Sequence, residues 1–172
     1  MQKAIFGGGC FWCTEAVFKM LKGVSQVLPG YSGGSKEDAD YNKVSSGNTR
    51  HAEVTYVEYD PEQIAFRDLL TIFFASHDPT TLNRQGNDVG PQYRSVIFYT
   101  TESQKLEAER FIEEIPGAVT ELEPFKEFYE AENYHQDYYE SHKDQPYCQI
   151  IINPKLDKIR EKFATLLKDK KV

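Results

Sequence analysis

Cysteine is scarce: the chain has Cys10, Cys13 and Cys148 in 172 residues. That excludes a disulfide-built scaffold, and a chain of this length buries roughly two thirds of its unfolded surface without one. A basic excess is also missing. Lys and Arg number 20 against 27 Asp and Glu, a net charge of −7, which argues against a nucleic-acid partner. The one basic cluster, Lys168, Lys170 and Lys171, reads as a solvated helix end. No apolar run nears the ~20 residues that span a bilayer, so no membrane partner is expected. The start, Met1-Gln2-Lys3 and then Ala4-Ile5-Phe6-Gly7, is too short in apolar residues for a secretory leader. Repeats, low-complexity tracts and linkers are absent too. The expectation is a single domain over residues 1–172, in the cytosol, where thiols stay reduced.

Aromatic residues are plentiful. Eleven Tyr and 11 Phe exceed what packing usually calls for, so some are expected to line a site. Lys3 to Phe6 reads as a short strand broken by Gly7-Gly8-Gly9. Phe11, Trp12, Ala16, Val17, Met20 and Leu21 then recur at helical spacing, with Cys10 at the helix start. Val24 to Leu28 reads as a strand ended by Pro29-Gly30, and residues 35–51 as polar and irregular. Ala52 to Tyr59 alternates as a strand should. Ile64, Leu69, Leu70, Phe73 and Phe74 mark an amphipathic helix. Residues 78–91 form a long polar loop, a length often tied to function.

Tyr93 to Tyr99 is the next strand, and Thr101 caps a helix from Glu102 to about Ile115. Val119 to Leu122 reads as a short strand. Tyr147 to Ile152 reads as an apolar strand ended by Asn153-Pro154, and Lys155 to Lys168 as a last helix. Interspersed strands and helices point to an α+β two-layer sandwich, a mixed or antiparallel sheet with helices packed on it.

A thiol attacks only as thiolate, and a free Cys has a pKa near ~8.5. Cys10 follows three glycines and opens a helix, where unpaired amides carry about half a positive charge. That seat is expected to lower its pKa. Cys10 and Cys13 form C-x-x-C on one helix face. A zinc site needs four ligands, and a second such pair is lacking, so no metal is expected. A dithiol exchanger fits better, although Phe11-Trp12 fills the motif with bulk. Two aromatics beside a thiol suit an apolar sulfur- or methyl-bearing group.

Gly9-Cys10-Phe11-Trp12 resembles the signature of the A-type peptide-methionine (S)-S-oxide reductases. Gly30-Tyr31-Ser32-Gly33-Gly34 is similar to that family's glycine loop. Tyr41, Val44-Ser45-Ser46-Gly47 and His51-Ala52-Glu53-Val54 resemble its next block. Phe74 to Pro79, Arg84 to Ser95 and Tyr134-His135-Gln136-Asp137-Tyr138 are similar to later ones. The resemblance runs over roughly residues 4–150. It implies a ferredoxin-like plait and a monomer that reduces methionine S-sulfoxide, free or in oxidised proteins. It also implies a thioredoxin-like reductant and no cofactor.

The resemblance makes Cys10 the nucleophile, Glu53 the acid, Tyr41 and Tyr93 donors to the sulfoxide oxygen, and Asp88 a residue that orders the site. Asp88 would have a water or an amide as partner. Phe11 and Trp12 would wall in the S-methyl group, with His51 and His135 in support. The Cys10 sulfenic acid would then condense with a second thiol. Cys148 matches the family's resolving position, yet runs into apolar Gln149-Ile150-Ile151-Ile152. Cys13 stands where the family often has Gly, one turn from Cys10. Both remain open, as does exchange of protein disulfides by Cys10 and Cys13.

Overall fold

The computed structural model describes residues 1–169, which leaves Lys170 and Lys171 outside; Lys168 is exposed. In chain order the elements are β1 (Gln2–Gly8), α1 (Phe11–Phe18), β2 (Val24–Ser32), α2 (Tyr41–Ser45), β3 (Ala52–Tyr59) and α3 (Phe66–Ser76). Then come β4 (Arg84–Gln85), β5 (Asp88–Val89), β6 (Ser95–Tyr99), α4 (Glu102–Glu113), β7 (Glu121–Pro124), β8 (Tyr129–Glu130), α5 (Tyr138–Ser141) and α6 (Asn153–Lys162).

The main sheet has the order β7-β6-β1-β3-β2-β8. Its neighbours run antiparallel except β6 and β7, which are parallel. The sheet is therefore mixed. Its inner part, β1-α1-β2-β3-α3-β6, has the split βαβ arrangement of a ferredoxin-like plait.

Strand alternation sorts the two faces. Ala4 and Phe6 of β1 and Val57 and Tyr59 of β3 join α1, α3 and α6 in the main core. Ile5, Ala52, Val54, Val96 and Phe98 form a second core packed by Phe125 and Phe128. Phe6 stacks on Phe18 at 5.1 Å and Phe73 at 4.9 Å, tying both helices to a central strand. Truncating such a ring to Ala costs about 3–5 kcal/mol.

Several elements differ from the sequence reading. Gly7 and Gly8 continue β1, and β2 passes through Pro29 and Gly30 to Ser32. Pro29 is tolerated because β8 is so short: its pairing begins at Gly30, and Pro29 contributes a carbonyl to the Ala131 amide. The polar loop at 78–91 holds the β4–β5 hairpin. The strand expected near Val119 lies two residues later, as β7.

The largest correction concerns Tyr147 to Ile152. Cys148–Ile152 is a π-helical turn leading into α6, not a strand. Cys148, Ile152, Leu156 and Ile159 are buried while Ile150 is 69% exposed, a helical spacing rather than an alternating one. Pro154 sits in the first turn of α6, where its missing N–H goes unneeded. The last helix also ends early, at Lys162. A short 3-10 turn, Ala164–Leu166, follows, and Leu167 pairs with Leu21.

His77 ends α3 in a buried chain of hydrogen bonds. Its Nδ1 donates to the Phe73 carbonyl (2.6 Å), so its Nε2 accepts from the Ser95 hydroxyl (2.7 Å), which in turn accepts from Thr120 (2.8 Å). Burial pushes His77 down from 6.5 to about 4. Folding thus favours the neutral ring. This contribution is complete above pH 6.5 and is lost as pH falls towards 4, by about 3 kcal/mol. His77→Asn keeps a donor for Phe73 and is expected to flatten the fall of Tm over that range. Equal falls in parent and variant would assign the acid sensitivity to another group.

Candidate active site

β1 runs antiparallel to both neighbours, so its C-terminal end lies beside the starts of β3 and β6. The chain leaves β1 at Gly9, whose φ is +94°. A side chain there would be strained, and its Cβ would meet Gln85 at 2.6 Å. Gln85 is fixed in turn by both of its amide atoms, which bond the backbone of Asp78. Cys10 then stands at the cap position of α1.

A pocket of about 180 Å³ opens at Cys10. Phe11 and Trp12 of α1, Tyr41 of α2, Glu53 of β3, Asp88 of β5 and Tyr93 of the turn before β6 all line it. Every residue named from the sequence for catalysis or substrate binding is thus brought together. A second hollow of about 480 Å³ adjoins it, sharing Cys10, Asp88 and Tyr147 and reaching Ile150 and Lys155.

Cys10 is 9% exposed. Its pKa is raised well above the ordinary thiol value, against the sequence expectation. Burial is the largest cause, followed by the charges of Glu53 and Cys13. The helix-start effect is present, since the Trp12 amide lowers the pKa, as does the Tyr147 hydroxyl. Burial outweighs both, so the resting sulfur carries its proton.

Glu53 is buried, 2% exposed, and its Oε1 accepts from the Phe11 amide at 3.2 Å. Burial raises its pKa to about 8, with the charge of Asp88 adding and the Phe11 amide opposing. At pH 7 the carboxyl is mostly protonated. Burial and the charge of Glu53 raise Tyr41 and Tyr93, so both stay hydrogen-bond donors at neutral pH.

The Tyr147 hydroxyl donates to Asp88 Oδ2 at 2.9 Å. Tyr147 also lies 3.8 Å from the Cys13 sulfur. Sequence reading assigned Tyr147 no role, although it directly precedes Cys148 in a matched segment. Glu132 was missed as well. It accepts from the Tyr31 hydroxyl and from the Tyr41 amide, bracing the start of α2.

His51 lies away from the sulfur's contacts. Its Nδ1 accepts from the Gly34 amide (3.2 Å) and its Nε2 donates to the Ser35 carbonyl (2.7 Å), holding the glycine loop. Cys13 and Cys148 are both buried, at 2% and 0% exposure. Among the described residues no three His, Cys, Asp or Glu side chains gather to hold a metal.

The family model for peptide methionine sulfoxide reductase matches residues 2–167. A peptide methionine sulfoxide reductase MsrA of Sulfolobus acidocaldarius is 55% identical over 168 residues, covering 95% of this chain and 96% of the relative. The structure of Mxr1 from Saccharomyces cerevisiae in reduced form aligns with a TM-score of 0.79 and 34% identity, over 86% of this chain and 88% of that one. Mxr1 in complex with Trx2 aligns at 0.54 and 27%, over 80% and 84%. The chain belongs to the peptide methionine sulfoxide reductase family.

Proposed function

We propose that the chain reduces methionine sulfoxide, of the S epimer that the A-type signature implies, free or in oxidised proteins. One observation carries the reading: a carboxyl held protonated to about pH 8 and two phenols share a pocket with a single reachable thiol. The Cys10 sulfur attacks the sulfoxide sulfur while Glu53 protonates the oxygen. Tyr41 and Tyr93 bond that oxygen as charge grows on it. Asp88, tied to Tyr147, orders the far wall, and Phe11 and Trp12 hold the S-methyl group. In sum, Cys10–SH and the sulfoxide give Cys10–SOH and the thioether; Cys10 is oxidised by two electrons, the Glu53 proton ends on the transferred oxygen, and the thiol proton restores the Glu53 carboxyl.

Cys13 resolves the sulfenic acid in this scheme, giving a Cys10–Cys13 disulfide and water. Its amide donates to the Cys10 carbonyl at 3.1 Å, one helical turn along. The position of Cys148 in the family pattern supports the other assignment. Cys148, however, is fully buried in the π-helical turn. A thioredoxin-type dithiol then restores the thiols; the yeast relative bound to Trx2 supports that donor class. The pocket is completed within one chain, which suits a monomer. The cytosol suits a cycle that needs reducing power.

One turnover without reductant, followed by peptide mass mapping, tests the assignment. Free thiols should fall from three to one in the parent and from two to none in Cys148→Ser, with Cys10 joined to Cys13 in both. A Cys10–Cys148 link in the parent, and no disulfide in Cys148→Ser, would transfer the role to Cys148.

A further inference from the structure

Trp12 is the only tryptophan of the chain. Its indole N–H donates to His135 Nδ1 at 3.1 Å. An indole nitrogen only donates, so Nδ1 must be bare and the imidazole proton must sit on Nε2. A protonated His135 would point an N–H at an N–H, and the bond would be lost. His135 is 1% exposed, and its Nε2 has no partner among the described residues.

The rest of the indole makes only apolar and ring contacts. Trp12 stacks on Tyr138 at 3.7 Å and 5°, and Tyr147 meets it edge-on at 5.7 Å. Tyr138 stacks in turn on His142 at 4.0 Å. Stacked rings slide at little cost, so the polar edge of the indole has His135 as its anchor. The groups facing His135 are Phe11 of α1 at 5.1 Å, Tyr41 of α2 at 4.4 Å and Tyr134 of its own turn at 4.1 Å. Both tyrosines are neutral at the pH values concerned. Glu132 is the charged group that acts on the ring and favours the cation; burial opposes it and is larger.

We propose that His135 is the positioning residue of the tryptophan wall, and that its protonation in acid frees the indole and weakens substrate binding without touching the chemical step. This rests on the reading of Trp12 as part of the substrate pocket. Acidification thus acts on KM through His135, whereas the protonation state of Glu53 acts on kcat at the opposite, alkaline end.

The first test needs no substrate. Emission of the lone tryptophan is followed from pH 7.5 to 4.5 in the parent, in His135→Asn and in His142→Phe. The short amide of Asn keeps an acceptor for the indole but does not titrate. A transition below about pH 6.5 should occur in the parent and in His142→Phe and be absent in His135→Asn. No transition in the parent, or the same one in His135→Asn, overturns the proposal.

The second test measures KM and kcat for a methionine S-sulfoxide peptide over the same range. Parent KM should rise about fivefold with kcat nearly level, the scale of one lost hydrogen bond. His135→Asn should hold a low, level KM, and His135→Leu a raised one at every pH. A transition that belongs to His135 with no movement of KM would sink the role of Trp12 as substrate wall, and the claim on affinity with it.

Discussion

Cys10→Ser is expected to abolish turnover of methionine S-sulfoxide while leaving the fold and Tm nearly unchanged. Serine is close in volume, and the Cys10 side chain makes no cap bond whose loss would loosen α1. A hydroxyl is a far weaker acid than a thiol and cannot pass through a sulfenic state, so no other group in the pocket can accept the oxygen. Cys13 is buried one turn deeper and does not line the pocket. The variant should keep all of its remaining thiols after incubation with substrate. Measurable turnover by Cys10→Ser would dismiss Cys10 as the acceptor. Exchange of protein disulfides by the parent without any sulfoxide activity would favour the dithiol reading instead.

Glu53→Gln should lower kcat by about 10²–10⁴, the range that one positioned proton donor supplies. The amide preserves the bond from the Phe11 N–H and removes only the acidic hydrogen. In the parent, kcat should be level below pH 8 and fall above it as Glu53 ionises, because the carboxyl must be protonated to give its hydrogen away. The substitution acts on stability in the opposite direction. A carboxyl raised from 4.5 to about 8 by burial favours folding when protonated, and that advantage is lost as pH rises through this interval. Glu53→Gln should therefore be more stable than the parent at pH 8 and above, by roughly a few kcal/mol at most. A slower but more heat-resistant enzyme separates chemistry from folding in one variant. An unchanged kcat at pH 7 would discard Glu53 as the acid.

Much of this site was legible before the fold. The glycine run followed by apolar residues at helical spacing put Cys10 at the start of α1, and the alternation of Ala52 to Tyr59 put Glu53 at the head of a strand. Antiparallel pairing then makes those two places neighbours. The matched blocks supplied Tyr41, Tyr93 and Asp88, which no local pattern distinguishes from ordinary loop residues. Tyr147 escaped because its partners, Cys13 and Asp88, lie 134 and 59 residues away. The π-helical turn escaped because three successive isoleucines carry strand propensity, and only the burial of every third or fourth residue onward to Ile159 reveals a helix. The direction of the Cys10 shift escaped for a related reason. A helix start is visible in sequence, but the depth at which it is buried is not.

That depth bears on how such an enzyme survives its surroundings. Peroxide and similar oxidants consume thiolates far faster than thiols, and repeated attack carries cysteine to sulfinic and sulfonic forms that ordinary dithiols cannot restore. Kept in its hydrogen-bearing state by the packing around it, Cys10 is expected to react slowly with small oxidants, which a rate of thiol loss in dilute peroxide would measure. A fold that behaves so spares the repair tool from the same damage it mends.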